Sequence, residues 1–385
     1  MGWGASQAKN QRERNFLPAG FSQRPLFLIG LVLSAFGLLI IYSSSAVMGL
    51  QKYGDSLFYV KKQAVFLGLG WLLYFLVAQM PWVRLAKLRM PALLVALLLL
   101  IVVLIPGIGQ SAGGAQRWIS LGFGQFQPAE LSRLLLLFYI AATLTVRADR
   151  LDSFNRGFLP LLLVTGFMMF LLILQPDFGS AMSVFTLSVA LWFVGRVPLP
   201  YIGGIFILAL PGVVFLIMGS GYRAQRMMTF LNPWADPQKS GFQVIQSFVA
   251  FYNGGWTGVG LGNSQQKLFY LPEAHTDFIL SVLGEELGVV GLITVVGLFL
   301  SLLWIGSRIT RAQMSNFGYY LAAGLTLFVC LPAMLNMMVT LGMLPTKGLP
   351  LPFFSSGGSS LLVSLIALGM LQSLHARRDE DPVQT

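Results

Sequence analysis

The chain has 385 residues, 56% of them hydrophobic and only 10% charged, whereas soluble domains run near 45–50% apolar and about 25% charged. A mean hydropathy of +0.74 excludes a disordered chain, a coiled coil and an ordinary soluble enzyme, each of which needs more polar surface than 25 basic and 14 acidic side chains supply. The net charge of +11 is spread between hydrophobic runs and forms no patch or basic helix, so no nucleic-acid partner is expected.

The N-terminal stretch is polar up to Gln23 and no small-residue cleavage site follows the first apolar run, which therefore reads as a retained span. A hydrocarbon core of about 30 Å needs roughly 20 apolar residues per helix. Ten segments qualify: 25–47, 62–80, 90–106, 128–146, 158–175, 179–195, 199–219, 277–305, 317–343 and 357–375, the sixth being the weakest. No repeat of 20–50 residues and no low-complexity linker occurs. The expected fold class is an all-α polytopic membrane protein: a tail over 1–24, one ten-helix membrane domain over 25–376, and a second tail over 377–385.

Lys and Arg are retained on the cytoplasmic side of a membrane. One set of connections, including both tails, carries 15 of them, and the other carries 9. Both termini are therefore expected in the cytoplasm. On the other side lies a connection of about 57 residues, 220–276, rich in Gly, aromatics and charge. Long connections of this kind are usually functional. The lone cysteine, Cys330, falls inside an apolar run, which leaves no internal disulfide and no thiolate cluster.

Charged groups close to hydrocarbon mark function by default, and here they are Glu130, Arg133, Asp177, Asp277, Glu285 and Glu286. Glu130 and Arg133 are three apart and can pair on one helix face; Glu130 is also a candidate substrate ligand. Asp277, with His275 two residues before it, opens the eighth span. It reads either as a helix-start carboxylate or as a general base at the mouth of a membrane cleft. Arg117, Arg223, Arg226, Lys239, Lys267 and Lys347 put cations on the same side, and Arg suits bidentate phosphate recognition. Trp118 reads as an interfacial anchor or a sugar-stacking ring.

The run Gly254 to Asn263 is glycine-rich, yet it lacks GxxxxGK[ST] and reads as tight turns. Two histidines cannot build a three-histidine zinc site, and no HExxH, CxxC or GxSxG occurs. The segment Leu344 to Ser360 holds three of its prolines before a Ser-Ser-Gly-Gly-Ser-Ser run and cannot be regular helix throughout. Such backbone is tolerated where it is buried in protein or lines a cavity, which makes Pro352, Ser355, Gly357, Gly358 and Ser359 candidates for a cavity wall, with a re-entrant connector as the alternative.

Taken in order, Gly114-Ala-Gln-Arg-Trp-Ile119, Gln127-Pro-Ala-Glu-Leu131, Gln175-Pro-Asp-Phe-Gly179, Tyr222-Arg223 with Arg226, Asn232-Pro-Trp-Ala-Asp-Pro237, Gly260-Leu-Gly-Asn-Ser264, Leu271-Pro-Glu-Ala-His-Thr-Asp-Phe278, Gly284-Glu-Glu-Leu-Gly288 and Pro345 to Ser360 resemble the SEDS family of FtsW/RodA membrane glycosyltransferases. The wording of the 232–237 and 344–353 motifs is similar to the division branch. One departure is Ser356, where the family carries Tyr before the glycine pair.

The resemblance implies ten spans and polymerisation of peptidoglycan strands from lipid II at the outer face of the bacterial cytoplasmic membrane, at the division septum. It matches Asp277 to the family's essential carboxylate and Trp118 to an outer-loop tryptophan. Arg117, Arg223, Arg226, Lys347, Glu130 and His275 are the further candidates for holding pyrophosphate or sugar. No cofactor is firmly implied, although a divalent cation, magnesium or manganese, is a candidate to share the pyrophosphate. Implied partners are the nascent glycan strand, a class B penicillin-binding protein transpeptidase, other division-complex membrane proteins and membrane lipids. The competing functions are a lipid II flippase and an elongation-type polymerase.

Overall fold

The computed structural model describes residues 24–377 apart from 113, 114, 121, 123, 220, 240, 272, 273 and 347. Lys347 and nearly all of both expected tails thus lie outside the described residues, as does the Arg223 side chain. Of the described residues 75% are helical. It begins with α1 (Arg24–Tyr53), α2 (Phe58–Ala78) and α3 (Arg89–Leu104), followed by α4 (Pro128–Val146), α5 (Leu159–Leu174), α6 (Phe178–Val194) and α7 (Leu199–Met218). After α8 (Gly221–Leu231) and α9 (Phe242–Gly254) come α10 (Ile279–Arg311), α11 (Asn316–Thr340) and α12 (Gly358–Ala376).

Helices stand at all ten expected positions. Among the described residues eight of them are long and apolar enough to cross a membrane: α1, α2, α4, α10, α11 and α12, with α3 and α5 when the helical turns before them are counted, Arg84–Leu104 and Phe154–Leu174; α6 and the apolar part of α7 are shorter. Side chains such as Ile207 and Leu208 of α7 are 74% and 81% exposed, as hydrocarbon-facing residues are when lipid is their solvent. The central element is α4, where Pro128 to Leu144 is buried at nearly every position. Leu134, Leu137 and Ile140 of α4 join Leu191, Leu321, Leu325 and Leu365 in one large core cluster.

Two features depart from an all-helical bundle with an open loop. Between α3 and α4 lies a small antiparallel sheet of order β1-β2-β3, made of β1 (Gly109–Ala112), β2 (Ala115–Ser120) and β3 (Gln125–Phe126). Hydropathy cannot register six-residue strands between spans. The expected loop at 220–276 contains α8 and α9, both too short to span. On α9, Val244, Ser247, Ala250 and Gly254 recur at helical spacing and are buried, whereas Tyr252 is 87% exposed; this is the one-sided stripe of a surface-packed helix.

The glycine-rich run does form tight turns, and it also repairs a broken helix. At Gly288 the backbone of α10 turns to φ 64°, ψ −161°, a conformation that favours glycine. The run supplies the missing partners: Val259 and Gly260 N–H groups donate to the Glu285 and Glu286 carbonyls at 3.0 Å each. Val289 and Val290 N–H groups donate in return to Gly255 and Trp256 at 3.0 and 3.2 Å. Irregular backbone at this depth is thus satisfied within the protein.

Alternate connections gather at opposite ends of the bundle. At one end Gln313 Nε2 donates to the Leu374 carbonyl at 3.1 Å and Tyr201 Oη to the Asp152 carbonyl at 2.7 Å. At the other end meet the sheet, the α5–α6 turn, the region from α8 to α10 and the α11–α12 segment.

Candidate active site

Asp277 lies in the turn 274–278 immediately before α10, half-buried. The helix starts at Ile279 with Phe278 as its N-cap. A satellite apolar cluster of Leu271, Ala274, Phe278 and Val282 anchors the turn from below. In front of it passes the Pro-rich segment: a β-carbon placed on Gly348 would come within 3.1 Å of Asp277 Oδ2, and Gly348 itself is exposed. The carboxylate therefore borders an opening at the polar end of the bundle. The His275 ring lies 5.0 Å from that of Tyr59, at 57°, and the His275 carbonyl accepts from Ser356 N at 3.0 Å. This contact uses only the Ser356 backbone, so the departure from Tyr leaves it unchanged.

The proposed wall divides in two. Pro352, Ser355 and Ser359 are buried, and so are Phe353 and Phe354 at 2% and 0% exposure. The two rings drive that stretch into the core, where the Phe36 and Phe354 rings meet at 5.4 Å. Ser359 Oγ accepts from Gln127 N at 2.8 Å, tying α12 to the start of α4. Gly357 and Gly358 are half-buried, as is Thr346, and Gly348 is exposed.

Arg226 on α8 reaches this segment, its Nη1 donating to the Thr346 carbonyl at 3.1 Å. Beside it a cavity of about 320 Å³ is lined by Phe230, Leu231, Trp234, Phe248, Leu344 and Thr346, among others. Arg117 of β2 has a carboxylate partner: its Nη1 is 3.6 Å from Asp177 Oδ1. Asp177, 2% exposed, caps α6 through Ser180 N at 3.1 Å and accepts from Gln127 Nε2 at 3.3 Å. Trp118 is half-buried, with an indole N–H that meets no acceptor among the described residues.

Other charged candidates are committed to structure. Glu130 accepts from Arg133 Nη2 at 2.8 Å, each side chain 9% exposed, and the Arg133 guanidinium lies 4.3 Å from the Phe328 ring centre. A carboxylate so paired inside a helix bundle is not a free substrate ligand, which corrects that expectation for Glu130. Lys267 is no surface cation either. It is buried against Glu286 at 2.8 Å. Glu285 accepts from Ser264 Oγ, from Gln266 N at 3.2 Å and from Asn253 Nδ2 at 3.3 Å. Buried charges must find such partners, and proximity in the folded chain, not in sequence, supplies them. Sequence reasoning missed Asn336, whose amide contacts the Asp277 backbone; a single Asn in an apolar run is the only signal it leaves.

No three His, Cys, Asp or Glu side chains come together to hold a metal ion among the described residues.

A bundle of apolar helices with a polar mouth, built from its connections around a half-buried carboxylate, defines a multi-pass membrane protein. The chain belongs to the FtsW/RodA/SpoVE family of cell cycle proteins, which it matches over residues 23–380. It is 41% identical over 352 residues to the probable peptidoglycan glycosyltransferase FtsW of Geobacter sp. (strain M18), covering 91% of this chain and 96% of that protein. It is 39% identical to the stage V sporulation protein E of Bacillus subtilis (strain 168), covering 90% and 94%. Among solved structures it is similar to a chain of a peptidoglycan synthase complex that coordinates polymerization and crosslinking, with TM-score 0.75, 32% identity and coverage of 92% and 98%. The rod shape determining protein RodA of Thermus thermophilus matches with TM-score 0.67, 29% identity and coverage of 92% and 97%.

Proposed function

We propose that this protein is a peptidoglycan glycosyltransferase that polymerises lipid II into glycan strands, with Asp277 as its general base. The observation that carries the reading is the position of Asp277, half-buried at the polar mouth with its carboxylate beside exposed Gly348. Relatives 41% identical over nine-tenths of the chain carry the same activity in their names.

The chemistry needs little else from the protein. The acceptor's 4-hydroxyl attacks the anomeric carbon of the donor sugar. A new C–O bond forms as the bond to polyprenyl pyrophosphate breaks on the opposite face, inverting the centre as in an inverting glycosidase. Pyrophosphate leaves without a protein acid, and the hydroxyl proton passes to the Asp277 carboxylate. Such base assistance typically contributes about 10²- to 10⁴-fold. Arg226, with Arg223 and Lys347 as further candidates, stabilises the charge on the departing group. Arg117 is a further cation at this end, held by Asp177.

The charge bias of the connections supports an orientation with both termini cytoplasmic and the Asp277 end facing the periplasm. The similarity to FtsW supports action at the septum of the bacterial cytoplasmic membrane, alongside other division-complex proteins. The similarity to a chain of a peptidoglycan synthase complex supports assembly with a crosslinking class B penicillin-binding protein.

The test uses purified protein and lipid II in detergent, where there is no bilayer to flip across. Wild type is expected to make glycan and Asp277→Ala to make it about 10²- to 10⁴-fold more slowly. Equal rates from both would remove Asp277 as the base, and glycan from neither in the presence of the transpeptidase would favour the flippase reading.

A further inference from the structure

Three consecutive carbonyls in the Asp277 turn are each held from outside it. The His275 carbonyl accepts from Ser356 N at 3.0 Å, the Thr276 carbonyl from Ser355 Oγ at 2.6 Å, and the Asp277 carbonyl from Asn336 Nδ2 at 2.8 Å. Ser355 is fixed in turn, accepting from Leu351 N at 2.7 Å. Asn336, on α11 and 1% exposed, sends its amide also to the Leu349 carbonyl at 2.6 Å. Both of its partners are carbonyls and accept only, so the chemistry fixes which end of the amide faces them. One side chain therefore ties the Asp277 turn to the residue after Gly348, the wall that faces the carboxylate.

The Asn336 Oδ1 atom is buried and meets no donor among the described residues. Leaving a buried acceptor unmet carries a desolvation penalty, which an apolar residue in a purely packing role would avoid. What the amide provides in exchange is two donors at fixed geometry.

We propose that Asn336 is a positioning residue for Asp277, its amide setting the gap between the carboxylate turn and the Gly348 wall before substrate arrives. The inference rests on Asp277 being the base. A shift of about 1 Å at a reacting group costs on the order of 10²-fold in rate, so a loosened turn slows the chemical step without weakening substrate binding.

Asn336→Leu keeps the volume and removes both donors; Ser355→Ala removes the neighbouring tie. Each is assayed as full-length protein polymerising lipid II in detergent, alone and in the Asp277→Ala background. The expected result for Asn336→Leu is a kcat lower by about 10- to 100-fold, with KM within about twofold and no further loss when added to Asp277→Ala. A wild-type kcat, a loss confined to KM, or a further loss in the Asp277→Ala background overturns the proposal. If Asn336→Leu does not fold, Ser355→Ala carries the test on the same criteria. An Asp277→Ala protein that polymerises like wild type removes the base itself, whereas an inactive Asp277→Ala with a fully active Asn336→Leu removes only the positioning role.

Discussion

Lys267 Nζ and Glu286 Oε1 lie 2.8 Å apart with side chains 6% and 0% exposed. The Ser43 hydroxyl, 2.6 Å from both Glu286 carboxylate oxygens, donates to that group and accepts from Lys267 at 3.2 Å. This triangle joins α1, α10 and the approach to the Asp277 turn. Lys267→Met leaves a buried carboxylate without its counter-charge, a loss of about 3–5 kcal/mol. The double variant Lys267→Met/Glu286→Leu is expected to recover most of it, because replacing both partners by apolar groups removes the desolvation penalty too. Melting in detergent checks the order: double variant close to wild type, single variant far below.

Glu130 and Arg133 support an equally sharp expectation. Their pair is internal to α4, so Glu130→Gln lowers the melting temperature while kcat per folded molecule stays within about twofold. A substrate ligand would show the reverse, a normal melt with a raised KM. Kinetics normalised to folded protein by size-exclusion separate the two.

The break in α10 makes Gly288 and Gly258 hard to replace. A β-carbon at Gly288 would meet Gly258 N at 2.5 Å, and one at Gly258 would meet the Glu286 carbonyl at 2.1 Å, both at positive φ. The left-handed backbone alone costs an L-residue about 1–2 kcal/mol, and both contacts are with backbone that cannot swing aside. Either alanine variant is expected to melt lower and to loosen the contacts that Ser264 and Lys267 make with Glu285 and Glu286. Gly297, in the same helix with open space at its β-carbon, tolerates alanine.

What could be read from the sequence follows from range. Spans are local, and a run such as Leu93 to Leu104 announces itself through composition. The Glu130–Arg133 pair was legible because both partners share one helix face. Lys267 looked like a surface cation because its partner lies 19 residues away and Ser43 lies 224 away. Asn336 was invisible for the same reason: its two acceptors come from different connections. Helix α9 was hidden because an amphipathic helix of 13 residues never reaches the hydropathy of a span. Phe353 and Phe354 belong to a proline-rich segment that reads as a cavity wall or a re-entrant connector, and only the fold shows their rings packed into the core.

Arg226 tests the leaving-group side. Its guanidinium is on the Pro-rich segment two residues before Gly348, within reach of the mouth that Asp277 borders. Loss of one preorganised charge-stabilising donor typically costs about 10²- to 10³-fold in kcat. Arg226→Gln is expected to lose at least tenfold in kcat/KM, and Arg226→Lys to recover only part of that loss because a point charge replaces a planar fork. Steady-state lipid II polymerisation measures both.

The central claim concerns one proton. Asp277→Asn preserves shape and removes the base, so the decisive measurement is single-turnover coupling of two lipid II molecules by rapid quench, with substrate saturating. The expected rate is about 10²- to 10⁴-fold below wild type with lipid II affinity unchanged. A transfer rate within threefold of wild type would show that the acceptor hydroxyl surrenders its proton elsewhere and that Asp277 is not the base.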